Sequence, residues 1–247
     1  GLSILTSELV EQCLADGGHF ERSPMYHSIF LDDIIDILYL ANRYVALFEV
    51  EWIFTLEMSA NSMLSWLYKM SHPDNAIPFF NDSTFGIATP LKTLISDYNN
   101  IVQYAPKFER FNRSSTLLSN SGFCRLSNDN ITCLCDVGSV SPNYIPGHAH
   151  AEALCFEASY LSTCVIVNSG VSLYGSSNER IYQRSTPSHS TVAIDNCNSS
   201  DIWSGFRVGR RSVVSDTRLA TNQATKLLTA SHNGYSHINI QHCREFL

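Results

Sequence analysis

Three stretches of the 247-residue chain gather side chains able to move protons, hold a metal or grip an anion. The first, GGHFERSPMYH at residues 17 to 27, sets Arg22, Tyr26 and His27 between a glycine pair and a proline-led segment, the kind of joint where helices expose functional side chains. A phenol can donate a proton there, or accept one if nearby positive charge lowers its pKa from about 10. The second, GHAHAEALCFE at residues 147 to 157, spaces His148, His150 and Glu152 at i, i+2 and i+4, so on a strand all three would leave one face. Two imidazoles so placed could both ligate a metal, or divide into one ligand and one base. The third, YGSSNERIYQRSTPSHS at residues 174 to 190, carries Tyr174, Arg180, Arg184 and His189, and with Arg207, Arg210 and Arg211 forms the one basic concentration in the chain. Paired guanidinium groups suit a carboxylate or sulfate. Each stretch also has a plainer reading: a capped turn anchored by Tyr26, a chance H-x-H, and arginines laced over a sheet surface.

The elements that must position these groups fall into two halves. Apolar residues recur with helical period in the first. Leu2 to Cys13 runs up to Gly17-Gly18, a second helix extends from about Ser28 to Tyr44, and a third carries Met63, Leu64, Leu67 and Met70 and stops before His72-Pro73. Thr89-Pro90 predicts a capped start for a fourth helix bearing Leu91, Leu94, Ile95 and Tyr98. The serine- and asparagine-rich run from Asn112 to Gly122 reads as the boundary, giving a helical domain over 1–118 and a sheet domain over 119–247. Beyond it lie short alternating or β-branched runs: 130 to 137, 152 to 158, 161 to 167, 191 to 195 and 206 to 215. Lys226 to His232 and Tyr235 to Cys243 flank Asn233-Gly234, a hairpin signal.

Composition narrows the class. Hydrophobic residues make up 44% and charged residues 16%, enough for a sizeable core and too apolar for general disorder. The net charge is −7, and the whole acidic excess sits in residues 1 to 120, while the remainder is balanced. Neither half offers the basic face a phosphate backbone needs, so no nucleic-acid partner is expected. Apolar runs fall well short of the ~20 residues of a membrane span, and a soluble protein is expected. Eight cysteines form no C-x-x-C, and Cys133 and Cys135 read as small residues on one strand face. Gly1 leads straight into a helical pattern and Phe246-Leu247 ends within a strand pattern, so the chain is expected to be an internal piece of something longer.

Taken in order, GGHFERSPMYH, the N-D-x-x-F-G-I segment at Asn81 to Ile87, PGHAHAEALCFE, VNSGVSLYG, ERIYQRSTPSHSTVAID and IWSGFRVGRR resemble the heparinase II/III-like proteins over nearly all of the chain. The resemblance implies the C-terminal part of an incomplete (α/α) toroid followed by an antiparallel β-sandwich, with the site between them. It implies a polysaccharide lyase that cleaves a heparin- or heparan-sulfate-like, uronic-acid-containing glycan by β-elimination. In that role Tyr26 would protonate the leaving oxygen and, for one epimer, act as base, with Arg22, His27 or Arg184 supplying positive charge. His148 would be the base from the sheet side, and Arg22, His27, Tyr174, Arg180 and Arg184 would meet substrate.

His150 and His189 match positions that bind a structural zinc in some members, where the third ligand is an aspartate. Asn168 stands there in this sequence, and a neutral amide is the weaker ligand. Little or no zinc is therefore expected unless Glu152 supplies the charge. The Asn-His motif that neutralises the substrate carboxylate in family lyases has no match before His19, so the piece alone is expected to be inactive. Its parent is expected in the periplasm or cell envelope. Two other readings compete: a non-catalytic acidic-saccharide-binding relative, and a metal-dependent enzyme using His148, His150, Glu152 and His189.

Overall fold

The computed structural model describes residues 1–140, 142–222 and 225–247. Helices α1 (Leu2–Gln12), α2 (Pro24–Arg43), α3 (Val50–Met70) and α4 (Leu91–Ile101) pack their apolar stripes into one core, to which Leu31, Ile34 and Leu38, then Leu56, Met63 and Leu67, then Leu91, Leu94 and Tyr98 contribute. Helix α2 begins four residues before the expected start. Ser23 caps it by accepting the Tyr26 N–H, and Pro24 occupies the first turn, where its missing N–H costs nothing. Tyr26 and His27 thus sit on a helix rather than in a loop. At α4 the expected cap is not made: Pro90 holds the cap position without a side-chain bond, and the Thr89 hydroxyl donates to Asp32 at 2.6 Å.

The second half is antiparallel sheet. Strands β1 (Thr116–Leu118), β2 (Phe123–Ser127), β3 (Ile131–Asp136), β4 (Phe156–Tyr160) and β5 (Thr163–Ile166) form a meander in chain order. After helix α5 (Asn178–Arg184), a two-stranded ribbon joins β6 (Ile202–Trp203) to β7 (Arg207–Val208), and a three-stranded sheet runs in the order β10, β9, β8. Those last strands are β8 (Val214–Thr221), β9 (Lys226–His232) and β10 (His242–Phe246). Strand β1 carries the sheet back to Thr116, ahead of the division expected at 118.

Alternation along β2 and β3 sorts side chains between two cores. Phe123 and Leu134 enter the helical core, whereas Cys124, Leu126 and Cys135 pack with Leu228 and Ala230 of β9. The meander therefore has helices on one face and the three-stranded sheet on the other. Cys133 and Cys135 share a face, as their spacing predicts.

Several expected strands are shorter or absent. The run from Glu152 becomes strand only at Phe156, so His148, His150 and Glu152 lie in consecutive turns rather than along one strand face. The run at 191 to 195 makes a single bridge, Ile194 to Cys197. Asn233-Gly234 does not close a two-residue hairpin, because His232 Nδ1 captures the Gly234 N–H at 3.0 Å and the chain continues through a 3-10 turn at Ser236–Ile238 before β10 pairs with β9.

The two halves are joined at Trp66. Its indole N–H donates to the Ser121 hydroxyl at 2.8 Å, its face stacks on His27 with ring centroids 4.5 Å apart, and its edge meets Phe123. Asp16 clamps the same turn, accepting from the Ser121 N–H at 2.7 Å. The glycine pair is required here by contact as well as by turn geometry. Gly17 has φ +87°, and a Cβ on Gly18 would lie 2.5 Å from Ser121 Cβ and 2.8 Å from Trp66 Nε1. Gly18→Ala should therefore destabilise the protein by about 1–3 kcal/mol, read as a lower denaturation midpoint at an unchanged m-value; an unshifted midpoint would mean that the joint relaxes freely.

Candidate functional site

The segment between α3 and α4 has no regular secondary structure, and its order comes from hydrogen bonds to distant parts of the chain. Asp82 donates its N–H to the His148 carbonyl at 3.1 Å, and its own carbonyl accepts from the Ser23 hydroxyl at 2.6 Å. Asn81, at φ +53°, accepts the His150 N–H on its side chain and gives its own N–H to Glu152 at 2.6 Å. These bonds aim the Asp82 carboxylate at three donors. His148 Nδ1 lies 3.0 Å from Oδ2, His150 Nε2 2.8 Å from Oδ1, and Arg180 spans both oxygens, with Nη2 2.7 Å from Oδ2 and Nη1 on Oδ1. Asp82 and Arg180 are completely buried. Burial alone would raise the Asp82 pKa, but the bonds from His148, His150 and Arg180 outweigh it and hold the carboxyl well below the usual range.

With Nδ1 of His148 facing a carboxylate, that nitrogen carries the proton and Nε2 is left as the basic face. Glu21 Oε2 stands 3.8 Å from Nε2, beyond hydrogen-bond reach. The His148 ring lies 3.9 Å from the Tyr26 ring, centroid to centroid, and the Tyr26 hydroxyl is 2.9 Å from the hydroxyl of Tyr174. Burial, then the bond to Tyr26, raises the Tyr174 pKa well above that of a free phenol. Tyr174 stacks on Phe206, and the Arg180 guanidinium lies 5.2 Å from the Tyr174 ring centroid and 5.6 Å from that of Phe206. Tyr26, His148 and Tyr174 thus form one partly exposed cluster, supplied by α2, the 147–155 turns and the segment before α5.

Other residues singled out from the sequence do structural work. Arg180 and Arg184 were expected to open toward substrate; both are buried, because Ser177 caps α5 and the i, i+4 spacing turns both inward. Arg184 donates twice to the Ala149 carbonyl, at 3.0 and 2.9 Å, and to the carbonyls of Ser204 and Arg207, so it fixes the turn that carries the two histidines. His27 is enclosed: Nε2 donates to the Met63 carbonyl at 3.0 Å and Nδ1 accepts the His19 N–H at 3.2 Å. Burial, and then His19, push its pKa down to about 3, so it offers Tyr26 no positive charge at neutral pH. Arg22 is half-buried and donates to the Ser139 carbonyl.

Two residues escaped the sequence reading. Asp82 lies in a stretch without periodicity, and the one signal was its place in the N-D-x-x-F-G-I segment. Glu21 sits in the first stretch but was not singled out.

His150, Glu152 and His189 are buried together, their donor atoms all within 4.8 Å of one another. His150 Nδ1 is 3.2 Å from His189 Nε2. His189 Nδ1 is 3.1 Å from Glu152 Oε2, yet among the described residues neither atom has a partner at hydrogen-bond geometry. Burial, with Asp136 and Glu157 nearby, raises the Glu152 pKa strongly, a cost that a cation bound beside the carboxyl would offset. Burial also lowers the pKa of His150 and His189, which favours the neutral, ligating form. Asn168 is otherwise engaged, its Oδ1 accepting the Ser190 N–H at 2.9 Å and its Nδ2 donating to Cys155 Sγ.

Asp82→Asn should be among the most damaging single substitutions, because it strands the Arg180 guanidinium in the interior at a cost of about 3–5 kcal/mol. In a double-mutant cycle with Arg180→Gln the losses should be clearly less than additive. Because the folded pKa is depressed, the contribution is present above the ordinary value of 3.8 and is lost as pH falls through the folded value. Chemical denaturation at pH 7 and in acid checks both statements; additive losses would contradict the pairing.

Comparison with known proteins shows the family and the fold of the chain. The profile for "Heparinase II/III-like, C-terminal" matches residues 111–247, and that for "Heparinase II/III N-terminus" matches residues 1–112. A curated heparin-sulfate lyase of Pedobacter heparinus is 29% identical over 222 residues, covering 80% of this chain and 32% of that protein. The structure of heparan sulfate lyase HepC from the same organism superposes with a TM-score of 0.71 at 23% identity over 98% of this chain and 38% of the other. Heparinase III superposes with a TM-score of 0.76 at 19% identity over 98% of this chain and 40% of the other. The chain thus spans about a third of the length of its curated relative, and with one profile covering more than half of it, it belongs to the heparinase II/III-like family.

Proposed function

We propose that the protein is a polysaccharide lyase that cleaves a uronic-acid-containing, heparin- or heparan-sulfate-like glycan by β-elimination, with Tyr26 and His148 as its catalytic residues. The helical half is then the C-terminal part of an (α/α) toroid, dividing near residue 112 from a β-sandwich. The observation that carries the reading is the 3.9 Å approach of the Tyr26 and His148 rings, with His148 Nδ1 tied to Asp82 and Nε2 facing Glu21 at 3.8 Å, beyond hydrogen-bond reach.

β-Elimination needs a base for the proton beside the uronate carboxylate and an acid for the leaving glycosidic oxygen. His148 Nε2 has the orientation of the base, since Asp82 stabilises the imidazolium formed once the proton is taken. The Tyr26 hydroxyl is the acid, and Tyr174, which keeps its proton, hydrogen-bonds that hydroxyl and orients it. The Arg180 guanidinium is committed to Asp82, so a substrate carboxylate must be met by other groups. A non-catalytic relative would have no need to bring a phenol and a carboxylate-backed imidazole together.

The group His150, Glu152 and His189 fits a zinc ion of structural type. All three are buried, with no side open for substrate, which disfavours the metal-dependent enzyme. Zinc there would cross-link the 147–155 turns to the segment after α5, and the Asp82 bond to His150 Nε2 is the kind of outer support that orients a ligating imidazole. Glu152, rather than Asn168, supplies the charge. Elemental analysis should find about one zinc per chain, lost in Glu152→Gln and unchanged in Asn168→Asp; occupancy that survives Glu152→Gln would remove Glu152 from the ligand set.

The catalytic reading is tested on the longest natural form of the protein, by following the ultraviolet absorbance of an unsaturated uronate during digestion of heparan sulfate. Tyr26→Phe and His148→Ala should each lower turnover by about 10²–10⁴-fold while the fold is retained. Saturated products would mean hydrolysis, and tight binding without turnover would favour the saccharide-binding relative.

A further inference from the structure

A polar hollow of about 680 Å³ lies between the end of α3, residues 110 to 113, the β2–β3 turn and the β4–β5 turn. It shares no lining residue with the site around Tyr26 and His148. Arg110, Arg113 and Arg125 all line it, and Asp129 is the one acid among its lining residues. Among the described residues, none of the three arginines has a carboxylate oxygen within 4 Å, by contrast with Arg180 and Arg210.

The two inner arginines are held by neutral oxygens. Arg125 is buried and donates to the carbonyls of Arg113, Lys69 and Ser71 and to the Thr132 hydroxyl. Arg113 lies over the Tyr68 ring at 3.9 Å and donates to the His72 carbonyl and to Asn75, while its Nε is buried with no hydrogen-bond partner among the described residues. Carbonyls position these cations, and Asp74 acts on Arg113 only from beyond ion-pair distance, so the floor of the hollow keeps a positive charge that is costly to bury unless an anion meets it. The rim adds exposed Arg110, and the Lys69 ammonium lies 5.6 Å from the Phe111 ring. Exposed Asn112 and Asn130 with the partly exposed Phe111 edge provide amides for hydroxyls and an apolar surface for a pyranose face, which a bare inorganic anion would not use.

We propose that this hollow is an accessory site for an acidic sugar, a carboxylated or sulfated unit of a glycan chain, distinct from the place where the chain is cut. The choice of an acidic glycan rests on the lyase reading above; the positive, unpaired hollow does not.

Hydrogen exchange in the Tyr26→Phe variant, with a heparin-derived hexasaccharide as probe, tests the proposal without cleavage of the probe. Segments 110–113 and 128–130 should gain protection, Arg110→Glu should weaken that binding by about fivefold or more, and cleavage of a short substrate by Arg110→Glu with Tyr26 intact should stay near normal. Protection that persists in Arg110→Glu, or that maltohexaose or inorganic sulfate reproduces at equal concentration, would overturn it. Turnover is measured separately: cleavage without protection at 110–113 defeats the accessory site alone, and protection there without any cleavage defeats the lyase reading alone.

Discussion

Asp82 carries a negative charge to a point that water does not reach, and the surrounding architecture is organised by the need to satisfy it. Removing a carboxylate from water costs several kcal/mol even after relaxation, so its two oxygens must be saturated by donors of good geometry. Arg180 supplies the counter-charge, while His148 and His150 take the remaining directions. One group thereby sets two imidazole tautomers: His148 presents Nε2 outward beside Tyr26, and His150 presents Nδ1 toward His189. The partly exposed candidate pair, Tyr26 and His148, and the buried candidate metal group depend on the same carboxylate.

The arginines of α5 show how basic residues in an acidic chain can serve structure. Arg180 and Arg184 lie one helical turn apart and enter the interior together, the first onto Asp82 and the second onto the carbonyl between the two histidines. Burial, and then Arg180, lower the Arg184 pKa to about 10, which leaves it charged at neutral pH. The short helix thus pins both the 79–85 segment and the 147–155 turns, neither of which has ladder hydrogen bonds of its own to hold it.

Bringing Tyr26 to His148 also requires the helical half to sit squarely on the sheet. Trp66, Ser121, Asp16 and the glycine pair make that joint, and His27 fills it by stacking on the indole. Proton transfer is sensitive to displacements of about 1 Å, so close packing at the joint bears directly on the geometry of the candidate pair. Ser23 links the two demands, capping α2 with the same hydroxyl that holds the Asp82 carbonyl.

What the residues determine by themselves is local. Helical period placed α1 and α3 and the body of α2, alternation placed β3 and β9, and the motifs brought Tyr26, His148, His150, Glu152 and His189 forward, because such signals act within one or two turns or a few strand residues. Asp82 was invisible as a centre, since its three partners lie 66 to 98 residues away and nothing in its neighbours announces them. For the same reason the arginines read as surface charge, Glu152 and Asn168 could not be ranked as ligands, and His27 looked available to Tyr26. Burial decides whether a charge faces substrate or the interior. It follows from how distant segments converge, which only the tertiary structure decided.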